Sequence, residues 1–317
     1  MTSGSERPGI IADLRGVRPA NDDSRRAPAV QKIDRKSRMI VNAMSIDVED
    51  YFQVEAFKGV IRRSDWDGAP ARVDRNTDRI LGLMSQARAR GTFFVLGWVA
   101  QRFPDLVRRI AAEGHEIASH GYEHQRADGQ DRGEFRDDVK RAKDLLEDLA
   151  GARVRGYRAP TFSINRKNWW AYDVLAECGY EYSSSIYPVK HDLYGMTDVP
   201  RTPFKPTDAP ILEIPMTTVR LFGRNLPCSG GGYFRLLPYA VSKTALRYVN
   251  VVEKNSGVFY CHPWEFDTGQ PRVMAASAKS KFRHYTNIAR MEGRFVHLLQ
   301  DFSWNRMDSV FLGSERA

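Results

Sequence analysis

A chain of 317 residues with 42% hydrophobic and 27% charged residues has the composition of a soluble globular protein, not of a fibrous or disordered one. No apolar run approaches the ~20 residues that a membrane-spanning helix requires. The formal net charge of +9 is unevenly spread, because residues 1–38 hold nine Lys or Arg against five Asp or Glu.

The leader of residues 1–38 is basic, polar and Pro-containing, and it reads as a flexible, solvated tail, with peripheral contact to an anionic membrane face as the alternative. Its first residues lack the continuous apolar stretch of a secretory signal, so a cytoplasmic location is expected. The remaining basic residues are scattered and form no nucleic-acid-reading module. Cys178, Cys228 and Cys261 are an odd, widely spaced set, which gives neither a disulfide framework nor a cysteine zinc knuckle.

Beyond the leader, short apolar runs alternate with longer amphipathic ones. MIVNAMSIDV is a strand candidate, and VDRNTDRILGLMSQARARG has helical spacing that closes on Gly91. TFFVLGWV reads as a second strand, FPDLVRRIAAEG as a helix with Pro104 early in it, and HEIASH as a third strand. GEFRDDVKRAKDLLEDLAG is an amphipathic helix. The alternation continues through RVRGYRAP, KNWWAYDVLAECG, YEYSSSIY, ILEIPMTT, LPYAVSKTALRYVN and GVFYCHP. Repeated strand–helix units predict an α/β fold with a largely parallel sheet or barrel. Residues 188–210, with five prolines, read as a long loop, and the stretch from 265 onward reads as a helical extension packed on the body.

In parallel α/β folds the chemistry gathers beyond the carboxyl ends of strands. Four candidate strands end in capable groups: SIDVED offers Asp47, Glu49 and Asp50, and SHGYEH offers His120 and His124. YRAP offers Arg158, and FYCHPWE offers His262. Each alone has an ordinary explanation, since a carboxylate after a strand usually caps a helix or forms a turn. Their shared position at one end of successive strands is what favours a site.

The segments SIDVEDYFQVEAF (45–57), GTFFVLGWVA (91–100), GHEIASHGYEHQ (114–125), GYRAPTFSI (156–164) and FYCHPWEFDTGQPR (259–272) resemble, in order, the polysaccharide deacetylases with the nodulation-protein-B homology domain, carbohydrate esterase family four. Within that family the chain looks like the branch associated with exosortase and exopolysaccharide clusters. The resemblance runs from about residue 40 to near the C-terminus. It implies a distorted (β/α) barrel and metal-dependent hydrolysis of N-acetyl groups on a glycan or its lipid-linked precursor.

The resemblance also implies roles. Asp47 matches the catalytic base, His262 the general acid, and Arg158 the group that holds the base. His120 and His124 match two metal ligands. The third is Glu49, with Asp50 as the alternative; in an extended segment residues 47 and 49 share a face and 50 points away. One carboxylate and two imidazoles leave an open position on a divalent cation, most simply zinc, with cobalt or manganese as substitutes. Thr161 is nominated as the oxyanion donor through its backbone N–H. Tyr122 and Trp264, with Tyr51, Phe52, Trp169 and Tyr233, are candidate sugar platforms, about half of which are expected to line a groove. One departure stands out: relatives carry an acidic residue near the start of YSSSIYP that orients the acid histidine, and this chain has Ser183. Asp192 or Glu213 is expected to substitute. Two rival readings are a same-fold hydrolase of a small cyclic amide or formamide, and a glycan-binding assembly protein with decayed catalysis.

Overall fold

The run VNAMSIDV is apolar or small at nearly every position, as in a strand covered on both faces. In the computed structural model, which describes residues 40–313, it forms β1 (Val41–Val48), buried at every position but the first. The basic leader of residues 1–38 lies outside the described residues.

Around β1 lie β2 (Thr92–Val95), β3 (Glu116–Ser119), β4 (Gly156–Tyr157), β5 (Tyr182–Ser183) and β6 (Leu212–Glu213), paired in sequence order and parallel throughout. A hairpin of β7 (Thr218–Leu221) and β8 (Arg224–Pro227) makes a separate two-stranded sheet. On the other flank of β1 runs β9 (Val258–Cys261), also parallel, and β10 (Ser303–Asn305) pairs with residues 41–43 of β1. The sheet curls into an incomplete barrel. Between β6 and β9 no strand pairing occurs among the described residues. Single contacts bridge that seam: Thr217 Oγ1 accepts from the Val258 N–H at 2.6 Å, and the Tyr260 N–H donates to the Ser229 carbonyl at 2.9 Å.

The helices are α1 (Val73–Gln86), α2 (Gly97–Arg102), α3 (Pro104–Ala112), α4 (Arg132–Ala150), α5 (Ala171–Glu177), α6 (Gly231–Leu236) and α7 (Tyr239–Val251), followed by α8 (Ala278–Tyr285), α9 (Met291–Asp301) and α10 (Met307–Phe311). Local signals set their limits. Asp131 caps α4 by accepting from the Gly133 and Glu134 N–H groups, Glu134 returns the bond, and Gly151 closes the helix at φ +62°.

Two expectations change. The run TFFVLGWV stops being a strand after Val95 and winds into α2, because the Gly97 and Trp98 N–H groups donate to the carbonyls of Gly121 and Tyr122. The C-terminal stretch is not helical alone. Asn287 at φ +55° separates α8 from α9, and β10 then enters the sheet beside β1. The loop expected over 188–210 is present, carrying only an isolated bridge between Phe204 and Glu213.

Candidate active site

Strand alternation aims the site. Ile46 and Val48 of β1 point into the apolar core, while Ser45 and Asp47 point into the barrel interior, where Arg158, just past β4, meets them. Arg158 is fully buried. Its Nη1 donates to Asp47 Oδ1 at 2.6 Å and to Ser45 Oγ at 2.9 Å; its Nε and Nη2 donate to the Ser184 carbonyl and Oγ, each at 3.1 Å. The Asp47 carboxylate is therefore fixed and ion-paired deep in the fold.

One residue past β1, Glu49 faces the two histidines. The turn after β3 places Gly121 at φ +75° and His124 at φ +54°, which folds both imidazoles inward to a ring separation of 5.3 Å. One donor atom each from Glu49, His120 and His124 lies within 4.8 Å of the others, and all three residues are buried. His120 Nδ1 lies 2.8 Å from the Arg158 carbonyl, which makes Nδ1 the protonated nitrogen and leaves Nε2 as a lone-pair donor. Glu49 Oε2 is buried without a hydrogen-bond partner among the described residues, yet sits 2.7 Å from His124 Nε2. A buried carboxylate oxygen so placed beside an imidazole nitrogen suits two ligands sharing one cation, and the set fits a divalent metal. Burial pushes the Glu49 carboxyl up, but His124, then His262 and His120, outweigh it and hold the group at about 2. Burial, with His124 alongside, lowers His120 to about 4, which keeps its imidazole neutral.

Asp50 does not join them. Its carboxylate accepts from the N–H groups of Tyr51 at 2.8 Å, Arg72 at 2.5 Å and Val73 at 2.8 Å, and so closes the first turn of α1. The geometry thus sets Glu49, not the alternative Asp50, beside the histidines.

His262, directly after β9, faces the cluster from the other side, its Nε2 3.9 Å from Asp47 Oδ2 and 3.6 Å from Glu49 Oε1. The orienting acid is neither of the two residues expected. Asp192 is held at the surface by Lys279 and Arg283, and Glu213 is turned to the Ser185 and Ile186 N–H groups and the Tyr172 hydroxyl. Ser183 donates its hydroxyl to Ser185. Glu265 takes the role instead: its Oε2 lies 3.2 Å from His262 Nδ1 and accepts from the His262 backbone N–H, while its Oε1 accepts from buried Arg235 at 2.7 Å. Burial opposes charge on His262, but the Glu265 hydrogen bond and the charges of Glu49, Glu265 and Asp47 prevail and raise it to about 9. The sequence signal for this pairing is the glutamate three residues past the histidine in HPWE.

Two sugar-platform expectations are corrected. The Tyr122 ring is wedged against α2 and α4, where its hydroxyl pairs with Gln101 and accepts from Arg141 at 2.8 Å, and Arg141 covers its face at 3.6 Å. It carries structure, not substrate. A Cβ on Gly97 would lie 2.2 Å from that ring, and the ring is too well anchored to yield. Gly97→Ala is therefore expected to destabilise the fold by roughly 1–3 kcal/mol, read as a lower urea midpoint at unchanged m. Trp264 is stacked between His262 and His284, with centroid distances of 5.2 and 4.1 Å, so neither face is free for a sugar. Its indole N–H instead donates to Glu49 Oε1 at 3.3 Å.

Thr161 sits in a tight turn at φ +57°, a left-handed conformation that a threonine adopts only under constraint. Of the other aromatics, Phe52 lines a cavity of about 510 Å³ that reaches His124, and Tyr233 lines one of about 350 Å³ that reaches His262; Val54 borders both. Tyr51 is buried, and Trp169 donates to the Pro206 carbonyl.

The curled parallel sheet brings buried carboxylate, imidazole and guanidinium groups together at its carboxyl edge, where parallel α/β folds gather their sites. Residues 65–183 match the family model described as Polysaccharide deacetylase, and residues 184–312 match one described as Domain of unknown function (DUF3473). Over residues 65–183 the chain is thus similar to the polysaccharide deacetylases. Among curated relatives, a peptidoglycan-N-acetylglucosamine deacetylase of Bacillus cereus is 36% identical over 95 residues, covering 29% of this chain and 34% of its own. A chitooligosaccharide deacetylase of Bradyrhizobium is 36% identical over 101 residues, covering 32% and 43%. The chain thus spans well under half the length of these relatives. A solved structure from Mycobacterium smegmatis, assigned to the polysaccharide deacetylases, superposes with a TM-score of 0.56 at 22% identity, covering 86% of this chain and 88% of that one. His120, His124 and Arg158 fall in the first matched segment and His262 with Glu265 in the second, while Asp47 and Glu49 precede both.

Proposed function

We propose that this chain hydrolyses N-acetyl groups on a glycan, using a divalent cation held by Glu49, His120 and His124. The substrate is an N-acetylated exopolysaccharide or its lipid-linked oligosaccharide precursor, and residues 39–317 act as one catalytic unit. The observation that carries this reading is the approach of two oppositely disposed proton handlers, Asp47 with Arg158 and His262 with Glu265, to one cluster of metal-type donors.

When bound, the cation supplies Lewis-acid activation of water and of the amide carbonyl, a role for which zinc is the simplest choice and cobalt or manganese substitutes. Asp47, gripped by Arg158, accepts the proton that the attacking water releases. The backbone N–H of Thr161 stabilises the oxygen that gains charge as the carbonyl carbon becomes tetrahedral. His262, protonated at neutral pH, gives its proton to the departing nitrogen as the C–N bond breaks, and acetate and a free amino sugar result. Glu265 and Arg235 keep the imidazole turned toward the cluster, and the Trp264 N–H steadies Glu49.

Incubation with defined N-acetylhexosamine oligomers tests the reading. Acetate release is expected, lost with chelator and restored by zinc. A metal-loaded protein that releases no acetate, or that releases ammonia or formate from small amides instead, would overturn it. No helix among the described residues is long and apolar enough to cross a membrane.

A further inference from the structure

The β7–β8 hairpin stands outside the main sheet and outside the site. Leu221 pairs with Arg224, so Phe222 and Gly223 alone form the turn, at φ +49° and +73°. Such a mirror-image two-residue turn favours Asn or Asp before Gly, because its first position is left-handed. A phenylalanine there is against backbone preference, and no packing accounts for it: the ring is 94% exposed. Leu221 and Leu226 are exposed as well, and their register puts both on one face of the hairpin. Arg201 donates to Thr218 and to both carboxylate oxygens of Glu253, which fixes the end of α7, with exposed Val251 and Val252, beside the hairpin's base.

Charge sets the kind of partner. Many surface arginines elsewhere are held by carboxylates, as Arg62, Arg102, Arg109 and Arg136 are. The side chains of Arg220 and Arg224, flanking the tip, and of Lys254, just past α7, have no carboxylate or hydrogen-bond partner among the described residues. The hairpin itself contains no acidic residue, and the nearby Glu253 is neutralised by Arg201. The surface is a projecting tip and not a groove, so it offers no cleft for a partner's helix. An apolar tip collared by free cations matches the boundary of an anionic bilayer, which takes up the ring among its acyl chains and the cations among its headgroups.

We propose that the hairpin Thr218–Pro227 is a peripheral docking element for anionic lipid bilayers, with Phe222 inserted and Arg220, Arg224 and Lys254 at the headgroups. This surface does not depend on the catalytic reading. The test is co-sedimentation of the full chain with vesicles of phosphatidylcholine alone and of phosphatidylcholine mixed with phosphatidylglycerol. Binding is expected only to the mixed vesicles and is expected to weaken with salt. Phe222→Asn suits the turn better than the native residue, so a loss of binding cannot reflect misfolding; the expected loss is about tenfold. Arg220→Gln with Arg224→Gln is expected to lose roughly thirtyfold, about fivefold for each charge removed. Both variants should release acetate from soluble oligomers at the native rate. Vesicle binding unchanged in both would place the contact in the basic leader and overturn the proposal, as would absence of binding by the native chain. A vesicle-free dimer that Phe222→Asn dissociates would overturn it too, making the tip an interface between copies.

Discussion

His120→Ala is expected to abolish stoichiometric metal uptake and, with it, acetate release. The imidazole is buried and its Nδ1 is committed to the Arg158 carbonyl, so Nε2 is aimed by the same residue that holds Asp47. Among the described residues the cluster of metal-type donors contains only Glu49, His120 and His124. Disturbing only the group that orients such a ligand commonly costs 10–100-fold in metal affinity, so deletion of the ligand should cost more than about 100-fold. Metal content after dialysis measures this directly. Thermal melts give a second readout, because a cation that binds only the native state raises the Tm of the native protein with concentration. The variant should show no such rise. Full metal occupancy in His120→Ala would mean that the cluster of Glu49, His120 and His124 is not the metal centre.

Glu265→Gln should move the alkaline limb of the pH–rate profile toward neutrality. His262 is raised to about 9 by Glu265, Glu49 and Asp47 acting against burial, so in the native protein the acid is protonated and competent below that pH and fails as pH climbs through it. A cation on Glu49 cancels that residue's share, which leaves Glu265 as the principal support. Glutamine keeps the shape and removes the charge, and a carboxylate at this range is worth roughly 1–3 pH units. At pH 8 the variant should therefore lose from about twofold in kcat, for a shift of one unit, to about ninetyfold, for a shift of three, recovering as pH is lowered. Glu265→Asp, which restores charge, should return part of the alkaline activity. A uniform loss at every pH, with the limb unmoved, would reduce Glu265 to a structural partner of Arg235.

What could be read from the sequence was what alternation and spacing encode. The period of two along SIDVE puts Asp47 and Glu49 on one face, and the strand–helix rhythm places His120, Arg158 and His262 at a common edge. What was not legible depends on partners far along the chain. Asp50 is adjacent to the site in sequence but is claimed by N–H groups 22 and 23 residues away. Trp264 looked like a free aromatic face until His284, from α8, covered its second side. In place of the acid missing at Ser183, Asp192 or Glu213 was the expectation, whereas the carboxylate beside His262 is Glu265, three residues on in the same short turn. The β7–β8 hairpin and β10 escaped notice because both are short and polar in part, so neither gives a strong periodic signal.

The placement of β9 and β10 against β1 gives the biosynthesis of this chain a fixed order. Glu49, His120 and His124 all emerge early from the ribosome, while His262 and the two strands that flank the first one follow later, by on the order of ten seconds at roughly 5–20 residues per second. Glu49, His120 and His124 are therefore synthesised well ahead of His262, and the central strand waits with an open edge until β9 and β10 are made. Metal capture by the nascent chain would precede the moment at which the catalyst becomes whole.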